Sequence, residues 1–512
     1  MIGLAGKIMK RRGAVNIKRT GNRLVMSNMQ HHLEYTSSCR KLLLISALIF
    51  STGAFLCSYS RASLSIATIN TIQGEAPQIL DTTDAKVLQG IYFNLKLSDD
   101  KNLAITPNQN RILNIAYNTS PSDYSFGVNL PTLSNDDILD NDGDYLANTN
   151  NLVIDNITSE WRDASDNVID PNSKTWLGSN VCNAESYRGD SSVKVTLSYH
   201  INTEYGDPRS SETREASTTF KLIADDGICY IRPGVLSLNT KDGWPDGNNK
   251  NWMGSEWTAR PDPYDPNQFK PRTGYYAWAT DKNGHHFPTI GFPEGRFRIV
   301  PKNPISQYTY ELVKNPNSAL VSTVRSINPD SKSEFKFNGN VPTKGEDFVI
   351  LVTNINTKAK FIYRFSLNKW IYSIPEDRWG GVSFDVAKQK CSANGDRFAT
   401  RAELTNSLYA TKDLSMSDEN NWYPANDSAK RAIGGGLSGE WGKVYFYAPK
   451  NSGDKFDMMK DVPDSDMKQI FDYNFYFTSE ISPNPNKYYS VGIVEGNVII
   501  EPDDAYIACV RY

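Results

Sequence analysis

Carboxylates are concentrated between residues 136 and 144, where residue types and spacing point most directly to chemistry. Asp140, Asp142 and Asp144 alternate with other residues around a glycine, and such carboxylates can converge on Ca²⁺, which binds about six to eight oxygen ligands. The match to a calcium loop is imperfect, because counting Asp140 as the first position puts Tyr145 where a glycine belongs. The stretch therefore predicts either a calcium site, as the only cofactor, or a solvated acidic loop.

Sequence motifs for catalysis are absent. The chain has no nucleophile elbow, P-loop, dinucleotide-binding fingerprint or HExxH motif. After residue 67 the histidines are His200, His285 and His286, and their spacing does not provide a zinc-ligand set. We therefore predict that the protein is not an enzyme and that it has no catalytic residues.

Length, charge and patterning limit the class of protein. At 512 residues the chain should contain roughly three or four domains. A net charge of −3 provides no basic field for nucleic acid. Many short alternating segments between polar loops indicate β modules. The expected fold class is therefore mostly β and multidomain, with β-sandwich or Ig-like modules followed by a C-terminal α+β domain.

Residues 1–67 are expected to be an export signal with a long basic leader. Before residue 42 only Glu34 is acidic, an apolar run covers 42–56, and small residues for a signal peptidase follow at 60–62 and 65–67. The alternative is an uncleaved membrane anchor, since the apolar run is near the lower length limit of a span. We expect an exported protein, at the bacterial cell surface or secreted, that contacts membrane only through this segment if it stays uncleaved.

Four cysteines follow this leader. They are Cys182, Cys229, Cys391 and Cys509. An even number of cysteines behind an export signal indicates two disulfides formed in an oxidising compartment. Four cysteines allow three pairings, and the count alone selects none of them.

Residues 68–231 are expected to form a β-sandwich-like region. Apolar and polar residues alternate over 193–199 and 216–224, as in two strands that each have one buried face. Both strands lie between Cys182 and Cys229. A bridge between these cysteines would therefore tie this region internally.

Two further regions follow before the C-terminal domain. Residues 232–300 form an aromatic-rich region of strands and loops, whose tryptophans either make a sugar-stacking platform or fill a core. These tryptophans are Trp244, Trp252, Trp257 and Trp278. Residues 301–369 have short strands at sandwich spacing, separated by Asn-Pro, Pro-Asp and Lys-Gly turns, and are expected to form an Ig-like domain.

Residues 370–512 predict a compact α+β unit. One helix is expected between the N-cap Ser383 and Gly395, and a second after Thr400, which opens a capping box. The segment 422–442 contains too much glycine, asparagine and aspartate for a regular element. Strand-like segments then continue to the end of the chain.

Four phrases of this unit carry a resemblance to a known class. They are residues 396–406, 436–442, 476–480 and 506–511. In this order they resemble the C-terminal C-type-lectin-like domains of exported surface proteins of enteric bacteria, the intimin and invasin class and its repetitive secreted relatives. The layout of residues 301–369 resembles the bacterial Ig-like repeat that precedes such a domain. The resemblance implies modules that hold a C-type-lectin-like domain away from the membrane.

The same resemblance implies a disulfide and a function. It implies that Cys391, on the first helix of the domain, pairs with Cys509 on the last strand, and a pairing of Cys182 with Cys229 then keeps each bridge within one domain. It further implies an adhesin-like, non-catalytic protein that binds a host cell-surface protein or glycan. The alternatives are a secreted structural or colonisation factor without a host receptor, and an enzyme on a lectin-like fold.

The expected ligand-binding surface is the long loop of the C-terminal domain. Aromatic groups there would supply contact area and polar groups would orient a partner. The candidates are Trp422, Tyr423, Asn426, Asp427, Glu440 and Trp441. The competing interpretation is that Trp422 and Trp441 are buried supports of a loop that binds nothing. A protein partner is favoured over a glycan, because the Trp-Asn-Asp motif of sugar-binding C-type lectins is absent.

Overall fold

The architecture is that of a computed structural model. It describes residues 74–98, 101–182, 189–236, 262–324, 329–374, 382–411, 427–447, 471–472, 475–482, 487–501 and 505–512. Strands make up most of the regular structure, so the predicted mostly β fold class is confirmed. Within the described ranges, no helix combines the length and the apolar content needed to cross a bilayer.

The N-terminal sandwich, residues 74–226, has two facing sheets and one helix, α1 (Asp81–Gln89). Its strands are β1 (Gln78–Ile79), β2 (Ile91–Ser98), β3 (Lys101–Ile105), β4 (Ile112–Ala116), β5 (Tyr124–Val128), β6 (Ile138–Leu139), β7 (Leu152–Arg162), β8 (Val168–Ile169), β9 (Ser191–Ile201) and β10 (Arg214–Asp226). One sheet has the order β4-β10-β9-β7-β8, the other has the order β3-β2-β5, and β1 pairs with β6. The sheets pack face to face because strands such as β9 and β10 bury alternate residues.

The middle sandwich, residues 228–366, also has two sheets. Its strands are β11 (Ile228–Pro233), β12 (Phe269–Lys270), β13 (Gly274–Tyr276), β14 (Ile290–Gly291), β15 (Arg296–Pro301), β16 (Tyr308–Lys314), β17 (Leu320–Ser322), β18 (Glu334–Phe337), β19 (Asp347–Asn354) and β20 (Lys360–Ser366). One sheet has the strand order β12-β13-β11-β15-β18-β17, and it faces a second sheet with the order β16-β19-β20. Phe297 and Phe365 meet between the sheets, with ring centres 5.6 Å apart. The boundary expected at residue 300 therefore cuts through one sandwich, because strands from both sides of it share a sheet.

The C-terminal module, residues 369–512, combines short helices with two small sheets. Its elements are β21 (Lys369–Ser373), α2 (Phe384–Ala393), β22 (Arg397–Phe398), α3 (Arg401–Leu404), α4 (Gly436–Trp441), β23 (Phe475–Ile481), β24 (Tyr488–Gly492), β25 (Val498–Glu501) and β26 (Ala508–Arg511). Ser383 precedes α2, and Thr400 forms the expected capping box at α3, so both helix predictions are confirmed. The prediction that 422–442 lacks regular structure is wrong at α4.

A strand from the middle sandwich completes the main sheet of the C-terminal module. The sheet has the order β14-β21-β26-β22, and β14 runs parallel to β21 with Ile290 opposite Lys369. One continuous hydrophobic core extends from the middle sandwich into the C-terminal module. The two modules are therefore joined by backbone pairing as well as by side chains.

The junction of the two sandwiches contains the first disulfide. Cys182 lies between β8 and β9 of the N-terminal sandwich, and Cys229 lies on β11 of the middle sandwich. The predicted pairing of Cys182 with Cys229 is confirmed, with a Cα–Cα distance of 5.4 Å. The expectation that this bridge ties one region internally is wrong, because β11 pairs with β13 and β15 and not with the preceding strands.

Candidate functional site

The candidate residues of the C-terminal module separate into two groups. Trp422, Tyr423 and Asn426 lie outside the described residues. Asp427, Glu440 and Trp441 are described, and all three are buried. The expectation that these three project from a loop toward a partner is wrong, and the contacts of each show what it does instead.

Glu440 is a fully buried acceptor at the contact between the middle sandwich and the C-terminal module. Its carboxylate accepts hydrogen bonds from the backbone nitrogens of Thr289 (3.0 Å), Ile290 (3.1 Å) and Gly434 (2.7 Å). The Thr289 hydroxyl donates a fourth bond to it. A buried carboxylate needs such donors because it has lost its water. Glu440 therefore fixes β14 against α4.

Trp441 packs beside Glu440 and is also fully buried. Its indole Nε1 donates to the Ile290 carbonyl at 2.8 Å. Its ring centre lies 4.8 Å from that of Phe287 and 5.1 Å from that of Phe292, two residues that flank β14. The competing interpretation of a buried support is therefore correct for Trp441.

Asp427 ties separate parts of the C-terminal module together. Its carboxylate accepts from the backbone nitrogen of Val498 at 2.9 Å and from that of Tyr409 at 3.3 Å. These donors come from β25 and from the chain that follows α3. Asp427 is therefore buried and connects backbone segments of the described part of the module.

The second disulfide closes the C-terminal module as expected. Cys391 on α2 pairs with Cys509 on β26, with a Cα–Cα distance of 5.5 Å. Both cysteines are fully buried, in a small core with Phe384 and Phe398. This bridge joins the first helix to the last strand, which is the C-type-lectin-like arrangement implied by the sequence resemblance.

An ion-pair network supports the same module near its first strand. Arg397 donates to both carboxylate oxygens of Glu403, at 2.7 and 2.6 Å, and Lys369 lies 3.3 Å from that carboxylate. Burial raises the pKa of Glu403, but the bonds from Arg397 and from the Thr400 backbone outweigh burial and lower that pKa to about 2. Glu403 is therefore ionised at any ordinary pH, which preserves the capping box of α3.

In the acidic loop of the N-terminal sandwich, carboxylates accept hydrogen bonds from backbone nitrogens of the loop and of Glu75. Asp140 accepts from the backbone nitrogens of Asp142 (2.9 Å) and Asp144 (3.1 Å), and Asp142 accepts from that of Glu75 at 2.5 Å. Among the residues that the structure describes, no three His, Cys, Asp or Glu side chains are placed to hold a metal ion. The calcium site on Asp140, Asp142 and Asp144 stays a prediction from the sequence.

Sequence reasoning missed another buried acid, Asp226, at the junction of the two sandwiches. Asp226 accepts from the Tyr308 hydroxyl at 2.6 Å and from the Asn354 amide at 2.7 Å. Both donors belong to the middle sandwich, on β16 and β19. In the sequence Asp226 follows Asp225 in a polar turn, and no local pattern distinguishes it from a solvated aspartate.

Comparisons with known proteins give matches among solved structures. No protein-family profile matches the chain, and no curated protein matches it. A structure of an EHEC O157:H7 intimin mutant is 11% identical, with 47% of this chain and 92% of that chain covered and a TM-score of 0.25. The C-terminal 282-residue fragment of intimin, solved with the intimin-binding domain of the translocated intimin receptor, is 11% identical, with 82% of this chain and 99% of that chain covered and a TM-score of 0.26.

These matches are to the class that the C-terminal phrases resemble. A third, intimin-190 from enteropathogenic E. coli, is 12% identical, with 48% of this chain and 98% of that chain covered and a TM-score of 0.23. TM-scores this low mean that the chains do not superpose as wholes. The function proposed below therefore depends on the contacts within this chain and on its sequence phrases.

The pH dependence of stability provides a test of the Glu440 site. Burial raises the pKa of Glu440 to about 7, although its four donors act in the opposite direction. Because the folded pKa exceeds the ordinary value of 4.5, the stabilisation is complete below pH 4.5 and is lost as pH rises through 7. We expect the free energy of unfolding to fall by up to about 3 kcal/mol between pH 5 and 8 through this group.

The variant Glu440→Gln isolates this effect. Its amide does not titrate, so its free energy of unfolding should lack the Glu440 component of the pH dependence. Its free energy of unfolding should also be lower at every pH, because the amide NH2 group cannot accept hydrogen bonds from the donors around it. His286, whose pKa is lowered mainly by burial, opposes the effect in wild type and variant alike. Chemical denaturation at pH 5.5 and 8 measures the difference, and parallel pH profiles for the two proteins would contradict the prediction.

Proposed function

We propose that this chain is an exported, adhesin-like binding protein whose fixed sandwiches present the C-terminal module to a partner. The observation that carries the proposal is the buried contact of Glu440 and Trp441 with β14. This contact removes the freedom of a linker between the middle sandwich and the C-terminal module. A fixed junction holds a terminal recognition surface at a set distance and orientation.

The two disulfides support export as part of this proposal. Both bridges form between cysteines that follow residue 67. Such structural disulfides persist in oxidising compartments outside the cytoplasm. Residues 1–67, which the sequence predicts to be the export signal, lie outside the described residues. We propose a location at the bacterial cell surface or in the medium.

A non-catalytic role is the second part of the proposal. Two buried acids, Glu440 and Asp226, accept hydrogen bonds from donors in a neighbouring module. Glu403 is bonded by Arg397 and completes the capping box with Thr400. Each of these groups is used for structure, which supports binding as the function over catalysis.

The partner that we propose is a protein on a host cell. The intimin and invasin resemblance of the C-terminal phrases supports a protein, and the absence of Trp-Asn-Asp disfavours a calcium-bound sugar in this module. The solved intimin fragment was bound to a domain of the translocated intimin receptor.

Replacement of Trp422 and Tyr423 together by alanine tests the proposed surface. We expect binding of the full chain to host cells to weaken at least about tenfold, because Trp and Tyr are enriched among the few residues that dominate the energy of protein interfaces. The melting temperature should not change. Flow cytometry with fluorescent protein, with and without a calcium chelator, measures the effect.

The matched control is the double variant Tyr145→Ala and Tyr205→Ala. Both tyrosines are exposed, at 63% and 61%, and both belong to the N-terminal sandwich. Equal losses for the two double variants, or no loss for Trp422 and Tyr423, would refute the assignment of the surface. Absence of cell binding by the wild-type chain would favour a structural factor without a receptor.

A further inference from the structure

A cavity of 470 Å³ opens at one end of the N-terminal sandwich, outside the C-terminal module. It lies between the end of α1 and the loop 106–111. Its lining residues, all described, are Leu88, Gln89, Ile91, Thr106, Pro107, Asn108, Gln109, Arg111 and Phe220. This volume falls within the range of about 300–1,000 Å³ that is typical of small-molecule sites.

The polarity of the cavity varies from floor to rim. Ile91 and Phe220 are buried and provide an apolar floor. The rim consists of the exposed side chains Gln89, Thr106 and Gln109, together with Asn108 and Arg111. Amide and hydroxyl groups both donate and accept hydrogen bonds. This combination matches a ligand that has many hydroxyl groups and one apolar face.

Arg111 supplies the charge of this site. Of the nine lining residues, all within the described ranges, Arg111 is the one with an ionic side chain. Hydrogen bonds of its backbone hold it in place: its nitrogen donates to the Asn108 carbonyl at 2.9 Å, and its carbonyl accepts from Lys221 at 3.0 Å. A guanidinium pairs with a carboxylate through two parallel hydrogen bonds.

The loop that carries Arg111 is preformed, because hydrogen bonds within the loop fix its shape. Asn108 Oδ1 accepts from the backbone nitrogens of Asn110 (2.9 Å) and Ile112 (3.0 Å), which closes the loop onto the start of β4. Arg111 has a φ of 59°, a region that costs energy for a residue other than glycine. Such conformations persist where the surroundings enforce them, and they cluster at binding sites.

We propose that this cavity binds an acidic sugar. Arg111 pairs with the sugar carboxylate, the amides of Gln89 and Gln109 bond its hydroxyl groups, and the floor of Ile91 and Phe220 meets its apolar face. The inference does not depend on the function proposed for the C-terminal module. It gives the N-terminal sandwich a recognition role of its own.

Titration of the purified full chain with N-acetylneuraminic acid and with glucuronic acid tests the proposal. We expect saturable binding to wild type by ligand-observed NMR, with Kd on the order of 1 mM, as is usual for a single small polar unit. The carboxamide of N-acetylneuraminic acid lacks the charge and should bind at least tenfold more weakly. N-acetylaspartate, a dicarboxylate without a sugar ring, should also bind at least tenfold more weakly.

Two arginine variants complete the experiment. Arg111→Asn removes the charge and keeps a residue type that tolerates positive φ, so the loop should keep its shape. We expect it to weaken binding at least tenfold with an unchanged melting temperature. The matched control is Arg272→Asn, because Arg272 is also exposed, has a φ of 65° and belongs to the middle sandwich. Its binding should equal that of wild type.

Three results would overturn the proposal. The first is equal binding by Arg111→Asn and wild type, and the second is equal binding of the acid and its carboxamide. The third is no binding of either acidic sugar up to about 10 mM, which is weaker than the proposed site allows. Equal binding of N-acetylaspartate would overturn the assignment to a sugar and leave a general carboxylate site.

Discussion

Replacement of Trp441 by alanine is expected to lower the free energy of unfolding by about 3–5 kcal/mol. The indole is fully buried among Phe287, Phe292 and Tyr447, so its removal leaves a cavity at the centre of the junction. It also leaves the Ile290 carbonyl without its donor. The loss should appear as a lower melting temperature, measured by near-ultraviolet circular dichroism of the full chain.

The variant Trp441→Phe separates packing from hydrogen bonding. Phenylalanine retains an aromatic ring in the core but cannot donate to the Ile290 carbonyl, so we expect a smaller loss of about 1–2 kcal/mol. If Trp441 were instead part of a binding surface, its replacement would reduce binding and leave stability unchanged. If Trp441→Ala melted like wild type and bound host cells poorly, Trp441 would be a contact residue and the account of the junction would be wrong.

The correct predictions for the C-terminal module came from local sequence signals. A helix start depends on residues within one turn, so Ser383 and the capping box of Thr400 with Glu403 were visible in the sequence. In the structure Phe384, Ala387 and Cys391 form the buried face of α2, as helical spacing requires. The pairing of Cys391 with Cys509 came from the resemblance to a known domain class, and the structure forms it.

Helix α4 was missed because its glycines serve tertiary packing. Glycine is a poor helix former, so 436–442 looked irregular. In the fold Gly436 has a φ of 75°, and a Cβ there would lie 2.6 Å from the Thr405 nitrogen. A Cβ on Gly439 would lie 3.1 Å from the Asn406 side chain. Close approach of α4 to the end of α3 therefore overrides local propensity.

The roles of Glu440 and Asp226 could not be found in the sequence, because their partners are distant along the chain. Glu440 is bonded by Thr289, which is 151 residues away, and Asp226 by Asn354, which is 128 residues away. When these partners are unknown, a polar residue beside a tryptophan, such as Glu440 beside Trp441, is interpreted as part of a binding surface. The boundary at residue 300 was misplaced for the same reason, since spacing identifies strands but not their pairing.

A fragment limited to residues 370–512 is expected not to form a stable domain, although it matches the boundaries of the predicted one. It lacks β14, the strand that pairs with β21. It also lacks Thr289 and Ile290, which supply three of the four hydrogen bonds to the Glu440 carboxylate. Leaving a buried acceptor without its hydrogen-bond partners costs about 1–3 kcal/mol, a large part of the 5–15 kcal/mol that stabilises a typical domain.

The comparison fragment is residues 226–512 with Cys229→Ser, because Cys229 has lost its partner Cys182. It keeps β14 and the whole middle sandwich, so it should unfold in a sharp thermal transition and show a strong near-ultraviolet signal from its buried aromatic rings. The fragment 370–512, with the Cys391–Cys509 bond verified by mass spectrometry, should show neither. A cooperative transition at the same temperature in both fragments would mean that the C-terminal module folds alone, and that β14 is an accessory to it.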